Sequence, residues 1–423
     1  MKSFLKTQSL SLANSSLFLL SFCVPFLEIL ASIAAVIFII FNLIYAYFHK
    51  SEFQIKQLIN FLPIYIVFFI MLVSLIYSPD LSIALKIIFK SQVIIIFPLV
   101  FWLRGSVEKI ILDKTLRFYV FGVGTSMALS LLIAFRNYII TADSSVFTYY
   151  ELSETLSLHP TYFSLFILSG MILIVSKLIE SKIFNSVFLF ISLVLIILLQ
   201  SRIAIFGLLI VIIYGIISAN NRFSLLFFLC FFSLLIFSLN NTNSLKNRLI
   251  EISSFNYIKG DIGSLDENGV NQRSWLWINS FNQIKEAPFL GYGLGSQANY
   301  FRWKVEKELL TQDKSLNLKI AESSLSENNL HNQYLQFFYE SGVLGFFFFL
   351  TGFLILFVYL FRRKQYAQLL ILIVFLIFML TENLLQRQMG IFFYSFIFSL
   401  TLSGKQKIFE VGQFFNTSKT RIV

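Results

Sequence analysis

Charge is scarce in this chain. Asp, Glu, Lys and Arg make up only 13% of its 423 residues, about half of the roughly 25% usual in a soluble domain, which excludes an ordinary globular protein. Cysteine is scarcer still. Cys23 and Cys230 both lie in apolar runs, so a disulfide framework or a cysteine metal site is ruled out and both read as small core residues. Three histidines, His49, His159 and His331, are too dispersed for an HExxH or histidine-rich metal pattern. No metal and no cofactor is expected. No lipidation motif, low-complexity tract or fixed-period repeat occurs.

Apolar residues fill the space that charge leaves. They make up 57% of the chain, with 52 Phe, and the mean hydropathy is +0.78. At about 20 residues per span, roughly 240 hydrophobic residues supply at most about twelve spans. The fold class expected is therefore an all-α polytopic membrane protein with about twelve transmembrane helices. Spans are predicted at 12–28, 31–48, 57–78, 83–103, 114–135, 160–178, 183–199, 203–219, 222–239, 339–361, 366–381 and 388–403. The first two form one apolar stretch, split near Pro25 and Glu28 because its whole length overshoots a bilayer. Lys2 and Lys6 precede an apolar run longer than a signal-peptide core, so an uncleaved first span is expected.

The net charge of +11 and pI of about 9.4 suggest nucleic acid until the basic residues are placed. Eighteen of the 33 fall in loops and ends on the N-terminal side, including Lys2, Lys50, Arg104, Lys109, Arg117, Arg222, Arg362, Arg363 and Lys405. Five acidic residues accompany them: Glu52, Glu108, Asp113, Glu180 and Glu410. By the positive-inside rule both termini are cytoplasmic, and the surplus marks orientation instead of a nucleic-acid partner. Short loops on the other side hold only Arg136, Arg202 and Arg387; Lys86 and Lys90 fall inside the fourth span.

The expected organisation is spans one to nine over 1–239, a long external segment over 240–331, and spans ten to twelve with a cytoplasmic tail over 332–423. Segment 240–331 balances ten basic with ten acidic residues and is too long to be a structureless connection. Asn271 to Glu286 reads as a helix ended by Pro288, with Trp275, Ile278 and Phe281 on one face. Tyr300 to Leu310, carrying Arg302, Lys304 and Lys307, is a second. Their aromatic stripe suits helices lying at the membrane interface, the alternative being a soluble cap packed on itself. Between them, Gly291, Gly293 and Gly295 alternate, which permits either a plain turn or a backbone that approaches a ligand closely. No strand precedes them, so they are not a dinucleotide fingerprint.

The densest polar cluster opens the tenth span. It runs from Glu327 through His331, Asn332, Tyr334 and Glu340 to Gly342 and Gly345. A histidine at an external helix start can take a proton from a hydroxyl, the role of a general base, or it can be a helix-end residue without chemistry. Asn332 and Tyr334 can hydrogen-bond sugar hydroxyls. Gly342 and Gly345 leave one face without side chains and so permit close packing on a neighbouring span.

His331-Asn332, nine residues, then Gly342-x-x-Gly345 resembles the signature of the O-antigen ligase and polymerase superfamily of bacterial envelope glycosyltransferases. Leu-His159-Pro160-Thr-Tyr162, Gln-Ser201-Arg202, Arg273-Ser-Trp275 and Thr381-Glu382-Asn383 through Arg387 to Gly390 are similar to family stretches as well. The resemblance implies a GT-C-like membrane fold in the inner membrane with a periplasmic active site. The implied activity transfers a preassembled glycan from undecaprenyl pyrophosphate, to a lipid A-core sugar in a ligase or to a second lipid-linked chain in a polymerase. It implies His331 as base, Glu382 as an acidic residue that orients His331 or pairs with an arginine, with a purely structural ion pair as the alternative, and Arg202, Arg273 and Arg387 on the diphosphate, where a planar guanidinium suits phosphate oxygens. His159, Asn332 and Tyr334 would contact glycan, though His159 before Pro160 equally suits helix capping. Each arginine has the alternative of a helix-end cation reaching for the interface. A protein O-oligosaccharyltransferase shares the signature. A transporter is disfavoured because Lys86 and Lys90 lack an acidic partner within their span.

Overall fold

The computed structural model describes residues 2–49, 55–219, 269–301, 303 and 329–404. Helices follow one another with short connections: α1 (Lys2–Cys23), α2 (Glu28–Phe48), α3 (Leu62–Ile76), α4 (Leu81–Ser91), α5 (Val93–Arg104), α6 (Lys109–Thr141), α7 (Tyr149–Glu154), α8 (Pro160–Val175), α9 (Lys182–Leu198) and α10 (Arg202–Ala219). After Gly269 come α11 (Gly269–Ile284), α12 (Gln333–Arg362), α13 (Tyr366–Phe378) and α14 (Gln388–Leu402). A helix occupies each predicted span except 222–239, which lies outside the described residues along with most of the 240–331 segment. So does most of the second candidate helix with Arg302, Lys304 and Lys307; only its first turn, from residue 296, is described.

The helix ends follow from local chemistry. The turn at 24–27 separates α1 from α2 where Pro25 and Glu28 predict it. Pro63 occupies the first turn of α3, where its missing N–H costs nothing. Asp80 caps α4 by accepting from the Ile83 N–H at 3.0 Å, and Ser181 caps α9 through Phe184.

Among the described residues, five helical segments are long and apolar enough to cross a membrane: Glu28–Phe48, Ile59–Ile76, Leu81–Arg104, Lys109–Thr141 and Gln333–Arg362. Helices α8, α9, α10, α13 and α14 are shorter but apolar. Along α2, Ile29, Ile33, Val36, Ile40 and Leu43 stand exposed at helical spacing, a continuous apolar face that water would not tolerate and lipid does. Among the described residues every regular element is a helix, and the chain is an integral membrane protein. Helices α8 and α14 lie at its centre, buried along nearly their whole length, with Phe166, Phe375 and Phe393 in ring contact.

Cross-links define two ends of the bundle. At one end Ser126 bonds the Pro25 carbonyl, Ser130 that of Leu152, and the Gln333 N–H that of Met379. At the other, the Val107 N–H meets the Ser403 carbonyl at 2.8 Å and Arg117 that of Leu178 at 3.0 Å. Arg104, one of the basic residues that mark orientation, is buried. Its guanidinium donates to Asn42 Oδ1 at 2.7 Å, to the Ala13 carbonyl at 3.1 Å and to Asn14, tying α1, α2 and α5 together.

Candidate functional site

At the first end, α11, the residues before α12 and the 379–387 loop converge. Arg273 on α11 donates through Nη2 to Glu382 Oε1 at 3.1 Å, and His331 Nδ1 stands 3.6 Å from Glu382 Oε2. One carboxylate thus serves an arginine and a histidine from two other segments. Glu382 is almost wholly buried, whereas Arg273 keeps about a third of its side chain exposed. Burial pushes the Glu382 carboxyl up, but the His331 imidazole and the Arg273 guanidinium outweigh it and hold the group down at about 2. It is an anion at neutral pH. The carboxylate favours the imidazole tautomer with its proton on Nδ1, which makes Nε2 the basic atom.

Backbone strain and a polar helix face fix this geometry. His331 sits at φ +48°, and its N–H donates to Asn329 Oδ1 at 2.9 Å. Asn332 then caps α12 by accepting from the Leu335 N–H at 3.0 Å. Gln333, Gln336 and Glu340 follow at i, i+3 and i+7 on one side of α12. Gln333 Oε1 accepts from the Leu385 N–H at 2.7 Å. Gln336 Oε1 accepts from the Leu330 N–H at 3.0 Å and from Asn383 Nδ2 at 2.9 Å, so one amide holds the neighbours of both His331 and Glu382. Glu340 Oε1 accepts from Gln336 Nε2 at 2.7 Å, Gln386 Nε2 at 3.1 Å and the Gly295 N–H at 2.9 Å. Sequence reasoning gave these residues no role, although amides and a carboxylate at helical spacing in an apolar span were the signal.

The glycines act differently from expectation. Gly342 does not pack on a neighbouring span; it breaks α12 with φ +62° and ψ −169°, a combination essentially limited to glycine. The glycine turn fills the break. Carbonyls of Tyr339 and Glu340 accept from the Tyr292 and Gly293 N–H groups at 3.0 and 2.9 Å, while the Val343 N–H donates to Pro288 at 2.8 Å. Gly291, Gly293 and Gly295 all have positive φ, and a Cβ at Gly291 or Gly293 would stand within 3 Å of the backbone of α12 or of Ser78. Gly345 does face a span, since a Cβ there would stand 3.2 Å from Ile70 on α3. On α11 the buried face is Trp275, Leu276, Asn279, Ser280 and Ile284, with Phe281 half exposed, not the Trp275-Ile278-Phe281 stripe. Trp275 packs with Phe301, Leu330, Leu335 and Tyr339, so this part of the segment is packed on itself and on α12.

The remaining candidates divide. His159 caps α8, its Nδ1 accepting from the Thr161 N–H at 3.2 Å while Nε2 meets the Tyr150 hydroxyl at 2.7 Å. It also lines a cavity with Glu382 and Arg387. Arg202 begins α10 half-buried. Gly207 on α10 faces Phe378 and Val374, so Arg202, about 7 Å further along the axis, lies at the level of the Glu382 loop. Tyr334 donates its hydroxyl to the Leu376 carbonyl at 2.8 Å and packs its ring against Phe349, so it joins α12 to α13. Asp143, Glu151 and Glu154 are exposed. Among the described residues no cluster of metal-ligating side chains occurs.

Fold and site define an integral membrane protein with a histidine–carboxylate–arginine cluster at one end of its helix bundle. Residues 187–350 match the family model Wzy_C, described as O-antigen ligase. The match spans 164 of the 423 residues and supports the resemblance to the O-antigen ligase and polymerase superfamily. No curated protein matches the chain.

Proposed function

We propose that the protein moves a preassembled glycan from undecaprenyl pyrophosphate to a hydroxyl of the lipid A-core on the periplasmic face of the inner membrane, both termini being cytoplasmic. The observation that carries this reading is the convergence of His331, Glu382 and Arg273 at one end of the bundle. His331 Nε2 takes the acceptor proton as the oxygen bonds to the anomeric carbon. The bond from that carbon to the lipid diphosphate breaks, and the diphosphate leaves with the bonding pair. Glu382 orients the imidazole and stabilises its charge, as the carboxylate does in a hydrolase triad. Arg273 and Arg202 meet the charge developing on the leaving diphosphate. Arg273 keeps this capacity because only Nη2 is engaged with Glu382 and a third of its side chain is exposed.

A chromosomal deletion tests the reading. The deletion strain should accumulate lipid-linked polymer beside unsubstituted core. Single repeats on the core would make the protein a polymerase, and an unaltered glycan pattern would refute both.

A further inference from the structure

Glu382 borders a second feature besides its ion pairs. A cavity of about 300 Å³ opens beside it, with Glu28, Tyr150, His159, Tyr162 and Arg387 in its lining. One wall is aromatic and fixed: the Tyr150 and His159 rings stand edge-on at 5.1 Å, and those of His159 and Tyr162 at 6.0 Å. The cap on Thr161 and the bond to Tyr150 hold the imidazole between the two phenols. The other wall joins the start of α2 to the start of α14. Gln388 donates to Ser32 at 2.7 Å across this junction, keeping the Glu28 and Arg387 sides together.

Charge decides what fits. Glu28 and Glu382 face the cavity beside Arg387, and with Glu382 already paired to Arg273 the charges balance, so the lining presents hydrogen-bonding groups without a surplus cation to hold a diphosphate. Sugar hydroxyls and amines are donors that carboxylates accept, and the C–H face of a pyranose packs on aromatic rings. The volume lies at the lower end of ligand pockets, roughly 300–1,000 Å³, room for a single ring and not for a repeat-unit chain. The general base acts on the acceptor, so the sugar lying against the carboxylate that orients that base is the acceptor's.

We propose that this cavity is an acceptor subsite that holds one neutral or amine-bearing sugar ring against Glu382, the carboxylate that orients His331. The inference rests on the glycan-transfer reading and moves Arg387 from the diphosphate to the acceptor sugar. Three variants of the full-length protein test it. His159→Asn keeps a side-chain oxygen able to cap α8; Tyr150→Phe and Glu28→Gln remove one polar group each from exposed positions. With lipid-linked glycan as donor and lipid A-core as acceptor, each should raise the acceptor KM about five- to tenfold, the cost of one lost hydrogen bond, with a smaller change in kcat and in the donor KM. A rise confined to the donor KM, or no rise in either, overturns the proposal. Binding of labelled core oligosaccharide without donor separates the two readings. Wild-type protein that binds it, loses it in these variants and yet transfers nothing keeps the cavity and refutes the transfer. Binding unaffected by all three variants refutes the cavity.

Discussion

Glu382 receives Arg273 on one carboxylate oxygen at 3.1 Å, a pairing between a helix of the long loop and a turn between two membrane helices. The contact joins the arginine given to the leaving group with the carboxylate given to the base. Removing the guanidinium alone leaves a buried anion, a change that typically costs about 3–5 kcal/mol when the pair is fully buried and less here because Arg273 is partly exposed. Arg273→Ala should therefore lower the thermal stability of the purified protein and stop transfer. Glu382→Gln in the same chain should restore much of the stability and none of the transfer. Recovery of both would make the pair purely structural.

The same carboxylate sets an acid limit. Its folded value, about 2 against an ordinary 4.5, is depressed, so the stability it contributes is present above pH 4.5 and is lost as pH falls toward 2. The linkage is worth roughly 3 kcal/mol. The melting-temperature gap between wild type and Glu382→Gln should shrink between pH 4.5 and 2.5. A gap that persists unchanged at pH 2.5 contradicts the ion-paired state.

Gly342 and Gly345 should respond unequally to alanine. Gly342→Ala forces a side chain onto a glycine-only conformation, at about 1–3 kcal/mol, and drives a methyl group against the Phe289 carbonyl. Gly345→Ala keeps a helical backbone and meets its own Ser341 and, at 3.2 Å, Ile70. Thermal denaturation should show the larger loss at Gly342; the reverse order would refute the interlock of turn and helix.

The Glu340 carboxylate accepts from the amides of Gln336 and Gln386 and from the Gly295 N–H. Glu340→Gln turns an acceptor toward donors, leaving buried polar groups unpaired at about 1–3 kcal/mol. Transfer should fall at least tenfold, and Gln386→Glu added to it should recover part of the loss by reversing the polarity of the pair. Failure of the exchange to recover any activity would show that Glu340 acts otherwise than through Gln386.

Much of this was legible in the sequence for physical reasons. Hydrophobic runs dictate membrane helices whatever surrounds them, and the scarcity of charge made His331, Glu382, Arg273 and Arg202 conspicuous. His159 was legible as a cap because Pro160 follows it. What escaped depends on partners far apart along the chain. The break at Gly342 exists because residues 288–293 dock there, and no local pattern in 333–362 announces that. The bond from Tyr334 to Leu376 needs α13 beside it, and Arg104 reads as a surface charge until Asn14 and Asn42 surround it. The Gln333-Gln336-Glu340 face was visible, but its purpose required the 383–386 loop.

The initial rate of glycan transfer by purified His331→Gln, with lipid-linked glycan and lipid A-core acceptor, bears most directly on the central claim. Glutamine keeps polarity and approximate size but cannot take the proton, so the rate should fall about 10²- to 10⁴-fold while donor binding persists. A rate within twofold of wild type would contradict His331 as the general base and the site built around it.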